Sequence, residues 1–229
     1  MNAIITGATK GIGRAIAFAL AEAGYNLAIC SRNVAELAAL AGTLEQKGIK
    51  VHYLVTDCAD KVSVYSFCDF CSSAFGQIDV LVNNAGVFIP GSLLDEEDAC
   101  FENQLELNLN SVYYLSKYMG RIMRSQGFGH IINICSIASK QIKENAGSYG
   151  VTKSAMRSLN YVLRDELAKH NVKVTAVLPG STLTASWDGM EIPKDKFVQP
   201  EDIAESISQL LKLSTAANVD ELIIRPINF

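Results

Sequence analysis

The sequence predicts an α/β fold, a doubly wound parallel sheet with helices on both faces. Three observations predict it. Short apolar runs alternate with longer amphipathic stretches along the whole chain. The runs are apolar throughout rather than at every second position, as strands buried on both faces require. Glycines close several of the amphipathic stretches, where a helix C-terminus readily takes a left-handed residue.

In chain order, residues 3–5 form the first strand, and the glycine-rich turn from Gly7 to Gly13 follows it. The apolar spacing then predicts a helix over 12–23, ended by Gly24. A strand over 26–30 leads to a helix over 34–47, ended by Gly48, and to a strand over 51–55. A helix over 62–75 ends at Gly76, before a strand over 80–82. A long helical segment runs from about 95 to 126 and precedes a strand over 131–135. The chain ends with a helix over 148–170, a strand over 173–178, an irregular segment over 179–199, a helix over 200–213 and a strand over 221–224. Strand–helix alternation means βαβ units with right-handed crossovers, and so a Rossmann-type sheet. With no linker and no short-period repeat, one domain is expected over 1–229. The segment 179–199 is long for a loop in a compact domain, and such loops are often functional.

Composition narrows the function. Hydrophobic residues make up 49% and charged residues 19%, which excludes a disordered chain. A net charge of −4 with no basic run argues against nucleic acid or an anionic membrane as partner. No apolar run reaches a membrane-spanning length and no secretory leader is evident, so a cytoplasmic protein is expected. Its six cysteines are then free thiols. The pair Cys68 and Cys71 has no second pair and no histidine nearby, so neither a metal site nor a redox role is expected. His52, His130 and His170 fall at element ends, in no metal pattern, and are read as structural. Tyr113, Tyr114 and Tyr118 share one helix and are read as core or interface.

Three local patterns carry chemistry. The turn Thr6-Gly7-Ala8-Thr9-Lys10-Gly11-Ile12-Gly13 joins the first strand to the first helix. Glycines there let the backbone approach a pyrophosphate, and the helix N-terminus offers free N–H groups and its dipole. The second strand ends at Ser31-Arg32-Asn33. An NAD enzyme commonly places Asp or Glu near this point. Arg32 instead suits a 2′-phosphate, and Lys10 adds a second cation, so NADP(H) is the expected cofactor. Finally, Tyr149 and Lys153 lie one helical turn apart, with Ser136 upstream. An ammonium beside a phenol lowers its pKa, which makes a usable proton donor and acceptor. Ser136 follows an apolar strand, at the sheet edge where open α/β sheets bind ligands.

These motifs resemble the short-chain dehydrogenases/reductases of the compact type, and the resemblance spans the whole chain. It implies a cofactor loop formed by Gly7, Thr9, Lys10, Gly11, Ile12 and Gly13, with Ser31 and Arg32 at the adenosine ribose. Asp57 would touch the adenine. The Asn83-Asn84-Ala85-Gly86 motif would steady the sheet and contact the cofactor through Asn84, Ala85 and Gly86. Pro179, Gly180, Thr182 and Thr184 would grip the nicotinamide. The implied catalytic set is Asn108, Ser136, Tyr149 and Lys153. In it Ser136 holds the substrate oxygen and Tyr149 moves the proton. Lys153 lowers the tyrosine pKa and bonds the nicotinamide ribose, and Asn108 holds a water that links Lys153 to solvent. A small-molecule carbonyl substrate and a homodimer or homotetramer are implied too.

The nearest likeness is to 3-oxoacyl-carrier-protein reductases, for which Lys140 and Lys143 would supply docking charge. The wording after Ser136, the segment after Pro179 and the tail depart from them. The tail, with Ile223-Ile224-Arg225-Pro226, is more similar to sepiapterin-like and hydroxy-acid-type reductases. The alternatives are therefore a reductase of a small carbonyl, pterin or 3-hydroxy acid, and a cofactor-binding regulator without turnover.

Overall fold

The computed structural model describes residues 1–141, 144–187 and 193–228. Seven strands form one sheet: β1 (Asn2–Thr6), β2 (Asn26–Ser31), β3 (Val51–Val55), β4 (Val80–Asn83), β5 (Gly129–Ile134), β6 (Val172–Pro179) and β7 (Glu221–Ile224). Their order is β3-β2-β1-β4-β5-β6-β7, and every pairing is parallel. Among the described residues, seven α-helices accompany it: α1 (Gly11–Glu22), α2 (Val34–Glu45), α3 (Lys61–Ala74), α4 (Asp98–Leu105), α5 (Ser111–Gln126), α6 (Gly147–Ala168) and α7 (Pro200–Leu211).

The inner strands read as apolar throughout because successive residues feed opposite cores, while the edge strands β3 and β7 are partly exposed. Ala3 and Ile5 of β1 join Ile16 and Leu20 of α1, Leu37 of α2 and Ile203 and Ile207 of α7 on one face. Ile4 joins Phe67 of α3, Leu115 and Met119 of α5 and Leu167 of α6 on the other. Side-chain caps start several helices. Asn33 Oδ1 accepts from the amides of Ala35 and Glu36 at α2 (3.0 and 3.2 Å), and the Asp60 carboxylate accepts from Val62 and Ser63 at α3.

Most element ends shift by one or two residues from expectation, and two differences matter more. The segment read as one helix from about 95 to 126 is α4 and α5 joined by a π-helical turn, Glu106–Asn110. The fifth strand starts earlier, at Gly129, and ends at Ile134 rather than 135. From β1 the chain builds outward through β2 and β3, then returns to place β4 on the other side of β1. The crevice beyond the C-terminal ends of β1 and β4 is thus the switch point, where sheets of this kind bind ligands. Among the described residues, no helix is long and apolar enough to cross a membrane.

Candidate active site

The turn after β1 is held by its glycines and by Asn84. Gly7 and Gly11 stand at φ +64° and +51°, which side-chain-bearing residues adopt rarely. The Asn84 amide donates to the carbonyls of Thr6 (2.9 Å) and Gly7 (3.0 Å). Thr6 Oγ1 in return accepts from the amides of Asn84 and Ala85, each at 3.0 Å. A Cβ on Gly13 would stand 2.3 Å from Asn84 Nδ2 and 2.4 Å from the Gly7 carbonyl, so only glycine fits there. At the start of α1 no side chain caps the free amides and no acid occupies the first turn. That N-terminus is left to an anion. Facing it, Thr184 lies 3.1 Å from the point a Cβ on Gly11 would occupy. This bare cradle fits a dinucleotide pyrophosphate.

The end of β2 continues the shelf. Arg32 is exposed there, and Ser31 Oγ accepts from the Asn33 amide (3.4 Å). Lys10 is exposed as well, but its ammonium pairs with Glu36 at 2.9 Å. The bond from Lys10, with help from Thr9, holds the Glu36 carboxyl below the usual range. Asp57 is exposed after β3, where its Oδ1 accepts from the Ala59 amide (3.0 Å). Pro179 is buried at the end of β6, and Gly180 follows it. Thr182 is buried and its hydroxyl donates to the Gly180 carbonyl (3.0 Å), so that hydroxyl is turned toward backbone.

Ser136, Tyr149, Lys153 and Asn108 converge on the other side of the crevice. Ser136 follows β5 by two residues and is buried, and its Oγ accepts from the Ala138 amide (3.1 Å). The Ser136 hydroxyl also draws down the pKa of the Tyr149 phenol, in the first turn of α6. One turn on, the buried Lys153 ammonium donates to the Ile134 carbonyl (3.0 Å) and lies 5.9 Å from the Tyr149 ring centre. Asn108, fully buried in the π-helical turn, accepts from the Val87 amide (2.8 Å) and donates to the Val87 carbonyl (2.9 Å) and Thr152 Oγ1 (3.3 Å). A Cβ on Gly86 would lie 3.0 Å from Asn108 Oδ1 and 3.4 Å from the Lys153 ammonium. Gly86 therefore sits at the junction of the two.

One electrostatic expectation is overturned. The tyrosine pKa is not lowered: burial pushes it up to about 12, against a smaller downward pull from the Ser136 hydroxyl. The ammonium has turned inward to a main-chain carbonyl instead of pairing with the phenol. Burial also holds Lys153 below the usual lysine range.

The sequence model of the family described as short chain dehydrogenase matches residues 1–193. The chain belongs to the short-chain dehydrogenase family. An uncharacterized oxidoreductase of Staphylococcus aureus (strain USA300) is 32% identical over 225 residues, covering 98% of this chain and 96% of that protein. Among solved structures, an alcohol dehydrogenase from the archaeon Thermococcus sibiricus, complexed with 5-hydroxy-NADP, is 33% identical with a TM-score of 0.92 and covers 99% of this chain and 96% of its own. A 7α-hydroxysteroid dehydrogenase complexed with NADH and 7-oxo glycochenodeoxycholic acid is 29% identical with a TM-score of 0.89, over 97% and 92% of the two chains.

Several neighbours of the short-chain dehydrogenase site are not evident from sequence. Glu36 on Lys10 is one. Phe88 is another: its ring meets the Tyr149 ring edge-on, with centres 4.9 Å apart. Behind them the buried Gln104 accepts from the Ile89 amide (3.1 Å) and donates to Ser148 Oγ (2.6 Å), which donates to Glu96 (3.0 Å). That chain ties the loop after β4 to the start of α6. Only residue types, not their directions, were available to signal these contacts. Trp187 packs its ring against Phe197, with centres 5.0 Å apart. Lys143 and the central part of segment 179–199, Gly189 included, lie outside the described residues. Cys68 and Cys71 are buried thiols in α3, pushed up to about 12 and above it by burial. Among the described residues, no cluster of His, Cys, Asp and Glu is arranged to hold a metal ion.

Proposed function

We propose that this short-chain dehydrogenase transfers a hydride between NADP(H) and a carbonyl or secondary alcohol, with reduction of a small carbonyl as its working direction. The observation that carries this reading is the convergence of Ser136, whose hydroxyl acts on the Tyr149 phenol, with the buried Lys153 ammonium 5.9 Å from the Tyr149 ring centre. The nicotinamide, when bound, supplies the hydride. The chain's residues do the rest. The amides at the start of α1 and the Thr184 side of the cradle hold the pyrophosphate. Arg32 and Lys10 receive the 2′-phosphate, and Asp57 flanks the adenine. Ser136 donates to the substrate oxygen as charge grows on it. Tyr149, whose phenol keeps its proton through neutral pH, delivers that proton to the same oxygen. Lys153 turns from the Ile134 carbonyl to steady the phenolate left behind and to bond the nicotinamide ribose. Asn108 fixes the loop after β4 through Val87 and stands where a water linking Lys153 to solvent would sit.

A free small carbonyl is favoured over a 3-oxoacyl thioester on an acyl carrier protein. Lys140, which would offer docking charge, is paired with Glu221 on the edge strand β7. The alcohol dehydrogenase likeness supports the same choice. Assembly as a homodimer or homotetramer in the cytoplasm completes the reading. It is supported by Tyr113 on α5 and by Val151, Tyr161 and Val162 on α6, large residues left exposed. A monomeric mass by light scattering would refute that part.

The deciding experiment is NADPH oxidation across a carbonyl panel with the wild-type chain and Tyr149→Phe. The wild type is expected to turn over small ketones or aldehydes. The variant is expected to lose about 100- to 10,000-fold in kcat while NADPH binding stays within about threefold. A variant rate within a few-fold of wild type would exclude the tyrosine as proton donor.

A further inference from the structure

The cation nearest the glycine turn is already spoken for. Lys10 leads into α1, and its ammonium meets the Glu36 carboxylate at 2.9 Å. Glu36 itself lies in the capped first turn of α2. Its backbone amide donates to the capping side chain of Asn33 (3.2 Å), which fixes the first turn of α2 directly beyond Arg32. The Thr9 side chain, on the glycine turn, adds to Lys10 in drawing the Glu36 pKa down. Glu36 is also the less exposed partner, at 34% against 70% for Lys10. Among the described residues Arg32 carries no ion pair, so the shelf beyond β2 holds one free cation and one neutralised cation.

We infer that Glu36 is a specificity-determining residue, a built-in carboxylate that competes with the cofactor's 2′-phosphate for Lys10 and so limits discrimination between NADP(H) and NAD(H). This rests on the cofactor reading above. A 2′-phosphate reaching Lys10 must share or displace Glu36, and its own negative charge meets the carboxylate at short range. A 2′-hydroxyl pays neither cost, because it is neutral and needs no cation. Removing the charge at position 36 therefore frees Lys10 for one cofactor and leaves the other almost untouched. The pair is exposed and screened by salt, so the effect is a modest factor.

Calorimetric titration of NADP⁺ and NAD⁺ tests this without turnover. The proteins are the wild type, Glu36→Gln, Lys10→Met, the double variant and Arg32→Asp, each with its melting curve as a check on folding. Glu36→Gln is expected to tighten NADP⁺ about three- to tenfold, with NAD⁺ within about twofold and the gain shrinking as salt rises. On the Lys10→Met background the same change should move NADP⁺ by less than about twofold, because the competition has lost its object. Unchanged or weaker NADP⁺ binding in Glu36→Gln would overturn the inference. So would an equal gain on the Lys10→Met background, which would mean a general charge effect, and so would a loss of NAD⁺ binding, which would make Glu36 a ribose ligand. Failure of the cofactor reading is recognised separately. There the wild type binds NAD⁺ as tightly as NADP⁺ and Arg32→Asp changes neither, which overturns the reading and the inference with it.

Discussion

Tyr149 shows how direction, rather than spacing, sets a side chain's chemistry. Its four-residue separation from Lys153 was legible in the sequence, and the two do lie one turn apart on α6. The ammonium, however, donates to the Ile134 carbonyl, and burial dominates the phenol and pushes it up to about 12. A phenol in that state is a proton donor, which suits carbonyl reduction. Gly13 is the complementary case, in which the residue type alone announces the constraint. An alanine Cβ there would collide with Asn84 Nδ2 at 2.3 Å and the Gly7 carbonyl at 2.4 Å, both fixed by hydrogen bonds to each other. Gly13→Ala is expected to cost about 2–4 kcal/mol in urea unfolding and to weaken NADP⁺ binding more than about tenfold. Wild-type values in both measurements would mean that the turn is not clamped in this way.

Strands were the most legible elements and helix interruptions the least. Every strand was marked by an apolar run, and the inner strands β1, β2, β4, β5 and β6 are buried on both faces. The π-helical turn Glu106–Asn110 left no mark in the apolar spacing, since one extra residue in a helix barely alters it over a window this short; only the family resemblance, which places a helix-bending asparagine at Asn108, pointed to it. Its cause is tertiary: Asn108 must reach the backbone of Val87, two hydrogen bonds that no periodicity encodes. His130 makes the same point on β5. Read from sequence only as structural, it is buried, its Nε2 lies 2.8 Å from Thr175 Oγ1 on β6, and burial pushes its pKa down to about 3 from 6.5, with Lys173 adding to the effect. The unfolded chain therefore takes up a proton near pH 6.5 that the folded chain refuses until about pH 3. Stability attached to His130 is present above the upper value and falls as pH drops through that window, by roughly 1.4 kcal/mol per pH unit. His130→Gln, even if less stable at neutral pH, is expected to show a shallower loss in urea midpoint on acidification. An acid slope identical to wild type would assign the loss to other groups.

On the scale of the whole molecule, the site is a product of topology. Gly7 and Asn84 are 77 residues apart, yet they touch because β1 and β4 pair across the switch point. The doubly wound sheet was an expectation from the sequence, but the β1–β4 pairing itself comes from the structure. The Lys10–Glu36 pair and the Phe88–Tyr149 contact were not legible either, because they depend on where loops set down side chains. A cofactor that bridges the glycine turn, the end of β2, the segment after β4 and Thr184 holds four separate stretches of chain together. Whatever binds only the folded form stabilises it by mass action, about 2.7 kcal/mol at a concentration near 100 times Kd. For a domain of this size each kcal/mol moves Tm by about 2–4 °C. Saturating NADPH is therefore expected to raise the melting temperature by about 5–10 °C. At equal concentration NADH should give a smaller rise, because it lacks the phosphate that Arg32 and Lys10 would receive. Equal shifts from the two cofactors would mean that these cations do not read the 2′ position. A shift from neither would mean that the cradle at the switch point does not take a dinucleotide at all.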